Sequence, residues 1–100
     1  MLVHTVIFYL RPELTPAQRE EFRTEGLEAL RAIPSLTTYH IGRPAVMPLR
    51  AVVDATYDFA ITGIFADIAG HDIYQVHPLH TAFVARFKSY WTRVQIYDAQ

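Results

Sequence analysis

A tyrosine and two histidines fall within seven residues, in the stretch Tyr74–His80, which reads Tyr-Gln-Val-His-Pro-Leu-His. Histidine has an unperturbed pKa of about 6.5, so it can accept or donate a proton near neutral pH. His80 is therefore a candidate general base, and the Tyr74 hydroxyl is a candidate to orient it or to polarise a substrate carbonyl. The structural alternative is that both side chains only fill the core and bond to the backbone. His77 is predicted to cap the helix that Pro78 begins.

Further candidate binding residues are His4, Arg23 and a group of apolar side chains. His4 shares a strand face with Val6 and Phe8, so we expect it to point into a pocket. Arg23 would pair with a substrate carboxylate if it leaned toward that pocket. His40 and His71 are expected to be solvated. The aromatic and aliphatic residues expected to line or fill the pocket are Phe8, Phe22, Phe59, Ile61 and Phe83.

Other kinds of chemistry find little support. Two histidines and one carboxylate are a common set of metal ligands, and such a set could be drawn from His71, His77, His80 and Asp72. Pro78 interrupts the helix between them, so we expect no metal site. The chain has no cysteine, no glycine-rich phosphate loop and no Gly-x-Ser-x-Gly motif, which argues against thiolate, phosphoryl-transfer and triad chemistry.

Length and charge limit the possible partners. One hundred residues predict a single domain spanning 1–100, and 51% apolar residues can build its core. A formal net charge of −1 without basic runs argues against nucleic acid and anionic membranes. The apolar run at the N-terminus is too short to span a membrane, so we expect a cytoplasmic protein.

The order of predicted elements is strand, helix, strand, strand, helices, strand. Thr15 caps the first helix with Gln18, and Pro34 ends it. This order is typical of the α+β ferredoxin-like fold, a four-stranded antiparallel sheet with helices on one face. The other face would carry Val3, Ile7 and Tyr9, which predicts a homodimer formed by sheet-to-sheet packing. The predicted strands are Leu2–Leu10, Leu36–Arg43, Tyr57–Phe65 and Thr92–Asp98.

The segment Pro44–Thr56 is unusually apolar for a loop. Pro44 and Pro48 prevent one regular element, and Val46, Met47, Leu49, Val52 and Val53 supply the apolar character. One interpretation is a loop folded onto its own core. The other is a lid or a contact between subunits.

With these elements and motifs in place, the chain resembles the stress-responsive dimeric α/β-barrel (Dabb) family along nearly its whole length. The resemblance implies a dimer whose two sheets form a barrel, with a pocket between sheet and helices in each subunit. The residues that carry it are Val3-His4-Thr5-Val6, Thr15–Gln18, Ile33-Pro34, Tyr57-Asp58, Tyr74–His80, Phe83, Trp91 and Tyr97-Asp98.

One plant member of that family closes a linear polyketide by an aldol condensation without metal or organic cofactor. Its proposed catalytic pair falls on His80 and Tyr74, and a further pocket histidine falls on His4. Three other pocket positions of that cyclase differ here, at Arg23, Gly26 and Phe59. The resemblance therefore implies a similar cavity more than the same substrate.

Two functions follow as hypotheses. The first is a stress-associated dimeric module that holds a small apolar ligand without turning it over. The second is a cofactor-independent polyketide cyclase or aldol-type lyase that uses His80 and Tyr74. A weaker third is a monooxygenase of the related antibiotic-biosynthesis barrels.

Overall fold

The four strands are β1, Leu2–Leu10; β2, Leu36–Gly42; β3, Phe59–Phe65; and β4, Trp91–Ala99. They form one antiparallel sheet in the order β2-β3-β1-β4. A computed structural model describes all 100 residues. The bounds agree with the predicted strands to within two residues, and the largest difference is that β3 begins at Phe59. The side chain of Asp58, just before it, accepts a hydrogen bond from the Leu10 amide (2.7 Å) and pairs with Arg19.

The central strand β1 shows which sheet face carries the helices. Its residues alternate between buried and partly exposed along the whole strand, the two-residue period of a sheet covered on one side. Leu2, His4, Val6, Phe8 and Leu10 are buried under the helices. The predicted ferredoxin-like fold is thereby confirmed.

The first helical segment begins as predicted but is not a regular α-helix. The Thr15 hydroxyl accepts from the Gln18 amide, and the Gln18 side chain accepts from the Thr15 amide. Helix α1 covers Pro16–Glu21, and the chain continues as a π-helical turn, Phe22–Gly26, and a 3₁₀ turn, Leu27–Ala32.

Gly26 marks the change of winding from the π-helical to the 3₁₀ turn. A Cβ atom there would lie 3.1 Å from the Phe83 ring and 3.2 Å from the Phe87 ring. The glycine thus allows close packing of the helices and leaves no cavity of its own.

The two later helices meet at the residue predicted to separate them. Helix α2 covers Ile68–Val76, and helix α3 covers Pro78–Phe87. The His77 backbone is extended, and its Nδ1 accepts from the Leu79 amide at 3.1 Å. His77 is therefore the N-cap of α3, as predicted. A 3₁₀ turn, Lys88–Tyr90, then leads into β4. Each helix is too short or too polar to span a lipid bilayer.

The segment 44–56 contains no helix or strand and does not fold onto the core. The side chains of Val46 and Val52 are 106% and 82% exposed. Asp54, near its end, lines a surface cleft together with Ile7, Tyr9 and Gln95. Tyr9 lies on the helix-free face of the sheet, so this end of the segment borders that face and not the helical layer.

Candidate functional site

A cavity of about 150 Å³ lies between the buried face of the sheet and the helices. Ten of its thirteen lining residues, Tyr74 among them, are hydrophobic, so the space suits an apolar group. Tyr74, His80, His4 and Gln75 bring the polar atoms to its wall. The remaining lining residues are Val6, Phe8, Leu30, Ile61, Phe83, Val84, Trp91, Val94 and Ile96.

Tyr74 and His80 face each other across the break between α2 and α3. Their ring centroids lie 4.8 Å apart at an interplanar angle of 57°. Tyr74 is in the last turn of α2 and His80 in the first turn of α3, and His77 lies between these two turns. The helix junction therefore brings a phenol and an imidazole to the same cavity.

The environment of His80 favours its neutral form. Burial lowers the pKa of His80 below its ordinary value of 6.5, and the neighbouring imidazoles of His4 and His71 lower this pKa further. A hydrogen bond to the Gln75 backbone acts in the opposite direction and raises the pKa. Since a bond that raises a histidine pKa is donated by the ring, it fixes one nitrogen as donor and leaves the other as acceptor.

Tyr74 remains protonated over the physiological range. Its side chain is 2% exposed, and burial raises the pKa of Tyr74 to about 12. No charged or hydrogen-bonding neighbour contributes to this shift. The hydroxyl is therefore available to donate a hydrogen bond to a ligand in the cavity.

His4 joins the same cluster from the first strand and is held by an acidic residue of the last. Its Nδ1 lies 2.5 Å from Oδ1 of Asp98, which sits directly opposite on β4. His4 is 3% exposed, and its ring centroid is 5.8 Å from that of Tyr74. This pairing orients a buried imidazole that would otherwise lack a partner.

The structure divides the expected ligand-binding residues into two groups. His4, Phe8, Ile61 and Phe83 line the cavity. The other three lie outside it.

Phe22 is fully buried among aromatic rings of the core, which leaves no exposed surface for a ligand. Phe59 and Arg23 line a different, open groove of about 560 Å³ on the outer side of the first helical segment.

That larger groove is less suited to catalysis than the cavity. Arg23 pairs there with Glu20, and Arg31 pairs with Glu28. These charges neutralise each other in solvent, and the groove contains no imidazole or phenol. We therefore assign the candidate site to the smaller cavity.

Sequence reasoning missed one lining residue of the cavity, Gln75, and two residues that contact His4, namely His71 and Asp98. His71 was expected to be solvated, and this was wrong: its side chain is 16% exposed, and its ring lies 4.9 Å from that of His4. His71 precedes Tyr74 by three residues, which places the two side chains on the same face of a helix, and this spacing could have predicted its position. Gln75 lines the cavity one residue after Tyr74. Asp98 continues the alternation of Val94 and Ile96 toward the helical face of β4.

Comparisons with known proteins agree on the architecture. A dimeric ferredoxin-like protein from Thermobifida fusca superposes with a TM-score of 0.79 at 26% identity, over 98% of this chain and 88% of that one. A hydroxynitrile lyase from Passiflora edulis superposes with a TM-score of 0.78 at 18% identity, over 98% of this chain and 90% of that one.

Sequence comparison adds a relative of known activity and a family. The olivetolic acid cyclase of Cannabis sativa is 23% identical over 95 residues, which cover 95% of this chain and 91% of the cyclase. The sequence model of the stress responsive A/B barrel domain, Dabb, matches residues 2–100. The chain therefore belongs to the Dabb family of stress responsive A/B barrel domains.

Proposed function

We propose that this protein binds a small carbonyl compound and acts on it as a cofactor-independent lyase or cyclase of the aldol type. The observation that carries the proposal is the arrangement of Tyr74 and His80 on one apolar cavity, with rings 4.8 Å apart. A base and a hydrogen-bond donor beside an otherwise apolar space are the groups that enolate chemistry needs.

In this proposal the two residues have complementary roles. Neutral His80 removes a proton from the carbon next to a carbonyl, and the electron pair moves onto the carbonyl oxygen. Tyr74 donates a hydrogen bond to that developing enolate oxygen. The enolate carbon then attacks a second carbonyl of the substrate, and protonated His80 returns the proton to the new alkoxide. No external oxidant or reductant is required.

The relatives support this class of reaction without identifying the substrate. One is named a cyclase and one a lyase, and both span nearly this whole chain. The cavity of about 150 Å³ equals about five water molecules at about 30 Å³ each. We infer that the reacting carbonyl unit carries only short apolar substituents, or that a longer chain extends past exposed Ile96 at the sheet edge.

A second candidate is binding without turnover. Ten of thirteen lining residues are hydrophobic, which is typical of a pocket that retains an apolar ligand. In that case Tyr74 and His80 would only hydrogen-bond the ligand.

We also propose that the protein is a homodimer closed by its two sheets. The helix-free face carries Val3, Ile7 and Tyr9, with Tyr97 62% exposed beside them. The apolar segment 44–56 borders this face at Asp54 and is a candidate contact between subunits. The Thermobifida fusca neighbour is described as dimeric, which supports the same arrangement.

Proton exchange tests the catalytic proposal without knowledge of the natural substrate. Small 1,3-diketones are incubated with the protein in D₂O, and loss of the α-proton signal is followed by NMR. We expect the wild type to accelerate exchange and His80→Ala to reduce it by about 10²-fold or more. His40→Ala is the matched control. Because His40 is exposed on β2, this variant should catalyse exchange of the diketone proton at the wild-type rate.

The outcomes separate the two candidates. Saturable binding of the diketone without exchange above buffer would support the binding module and exclude the lyase. Exchange that persists in His80→Ala would exclude His80 as the base. Neither binding nor exchange with any diketone would contradict both candidates for this ligand class.

A further inference from the structure

Three potential metal ligands converge from three different elements, and one of them, His4, lines the cavity. His4 comes from β1, His71 from α2 and Asp98 from β4. One donor atom of each lies within 4.8 Å of the others. The ring centroids of the two histidines are 4.9 Å apart, and the carboxylate already touches His4.

We propose that His4, His71 and Asp98 form a binding site for one first-row divalent transition metal ion, such as Zn²⁺ or Co²⁺. Two imidazoles and one carboxylate are a set that these ions accept, with remaining positions left to water or a ligand. Ligand atoms held at about 2.1 Å in tetrahedral geometry lie about 3.4 Å apart, which is inside the 4.8 Å that now spans this set. If His4 binds through Nδ1, its hydrogen bond to Asp98 Oδ1, now 2.5 Å long, would be exchanged for bonds to the ion.

The surroundings of His71 resemble the outer shell of a metal site. Its Nε2 lies 3.1 Å from the side-chain amide of Gln75, and its Nδ1 lies 3.5 Å from Oδ1 of Asp72. If Nε2 binds the ion, Nδ1 can donate a hydrogen bond to Asp72. If Nδ1 binds the ion, Nε2 can donate to the side-chain oxygen of Gln75, after a rotation that exchanges the oxygen and nitrogen of that amide. Such partners fix the ring and strengthen the ligand.

Exposure and charge are also suitable for an ion. Asp98 is 42% exposed and His71 16% exposed, while His4 is almost fully buried. An ion can thus enter from solvent past Asp98 and reach a buried nitrogen. The imidazoles favour Zn²⁺ or Co²⁺ over the oxygen-seeking ions Mg²⁺ and Ca²⁺. This site differs from the set of His71, His77, His80 and Asp72 that the sequence disfavoured, and it does not use Tyr74 or His80, the residues of the proposed enolate chemistry.

Cobalt titration tests the site directly. The full chain, purified without a histidine tag and treated with chelator, is titrated with Co²⁺ while the visible d–d absorption is recorded. Zn²⁺ is then added to displace the signal. We expect one Co²⁺ per chain in the wild type, and at least about tenfold weaker binding in His71→Ala and in Asp98→Asn.

The control variant is His40→Ala, which removes an exposed histidine and should bind as the wild type does. Both ligand substitutions are at partly exposed positions, and circular dichroism verifies that each variant is folded. Absence of saturable Co²⁺ binding by the wild type would overturn the proposal. So would unchanged affinity in both ligand variants, or an equal loss in His40→Ala. None of these results depends on turnover.

Discussion

The ring of Tyr74 lies 4.8 Å from the ring of His80, on the opposite side of a helix break that His77 caps. The break is what allows the contact, because a continuous helix would place residues six apart on different faces. The chain thus uses Pro78 to position two side chains that neither helix alone could bring together. This relationship makes the junction and the site one unit.

Removal of the Tyr74 hydroxyl tests whether this group lacks a hydrogen bond within the protein and is therefore free to bond a ligand. Its raised pKa has burial as the sole cause, so Tyr74→Phe should leave the free energy of unfolding unchanged or raise it by up to about 1 kcal/mol. Tyr39→Phe is the matched control: Tyr39 donates to the Leu27 carbonyl at 2.8 Å, so its loss should cost about 1–1.5 kcal/mol. Urea denaturation measures both. Equal destabilisation of the two variants would mean that the Tyr74 hydroxyl has a structural bond.

The pH dependence of stability reports on His80. Burial lowers its pKa in the folded protein only, so the unfolded chain binds the proton more tightly. The contribution of neutral His80 to stability is therefore complete above about pH 6.5 and is lost as the pH falls through the folded-state pKa. Urea denaturation at about pH 8 and about pH 5.5 should show a larger loss of stability in the wild type than in His80→Gln.

The control for this measurement is His40→Gln, since His40 is exposed on β2. Its stability should depend on pH as that of the wild type does. Identical pH slopes for the wild type and His80→Gln would show that His80 is not held neutral by its surroundings.

Much of this architecture was predictable because its signals are local. Thr15 with Gln18, and His77 with Pro78, mark helix starts through bonds that span two or three residues. The close packing at Gly26, where the π-helical turn ends, was not predictable, because the Phe83 and Phe87 rings that contact it belong to a helix distant in sequence.

The site was predicted less completely for the same reason. Tyr74 and His80 share one motif. Asp98 and His4, in contrast, are 94 residues apart, and they are brought together only by the pairing register of β1 and β4. Phe59 was assigned to the pocket from its strand alone. It lies instead at the β2 side of the sheet, where Arg43 covers its ring.

Asp98 should contribute to stability through His4. Asp98→Ala leaves a buried imidazole nitrogen without its partner, which should lower the free energy of unfolding by about 1–3 kcal/mol. Asp98→Asn keeps an acceptor oxygen and should cost less. Asp72→Ala is the control, because Asp72 is 72% exposed and should change stability by less than about 0.5 kcal/mol. Thermal and urea unfolding compare the three, and equal effects of Asp98→Ala and Asp72→Ala would contradict the assigned role.

The cap at the helix junction has its own energetic signature. His77 accepts from the Leu79 amide, so His77→Ala should lower the free energy of unfolding by about 0.5–2 kcal/mol. His77→Asn restores a capping acceptor and should recover most of that loss. If alanine and asparagine were equally destabilising in urea denaturation, the imidazole would act through packing and not through the cap.

A single charge on the helix-free sheet face should separate the proposed dimer. Ile7 is partly exposed at the centre of that face, opposite Ala60 and Gln95, so Ile7→Lys is tolerated in a monomer but buries an ammonium group between two sheets. Light scattering after gel filtration should give a dimer for the wild type and a folded monomer for Ile7→Lys. Ala85→Lys, on the exposed surface of α3, should remain dimeric. A wild-type monomer at micromolar concentration, or an Ile7→Lys dimer, would refute sheet-to-sheet assembly.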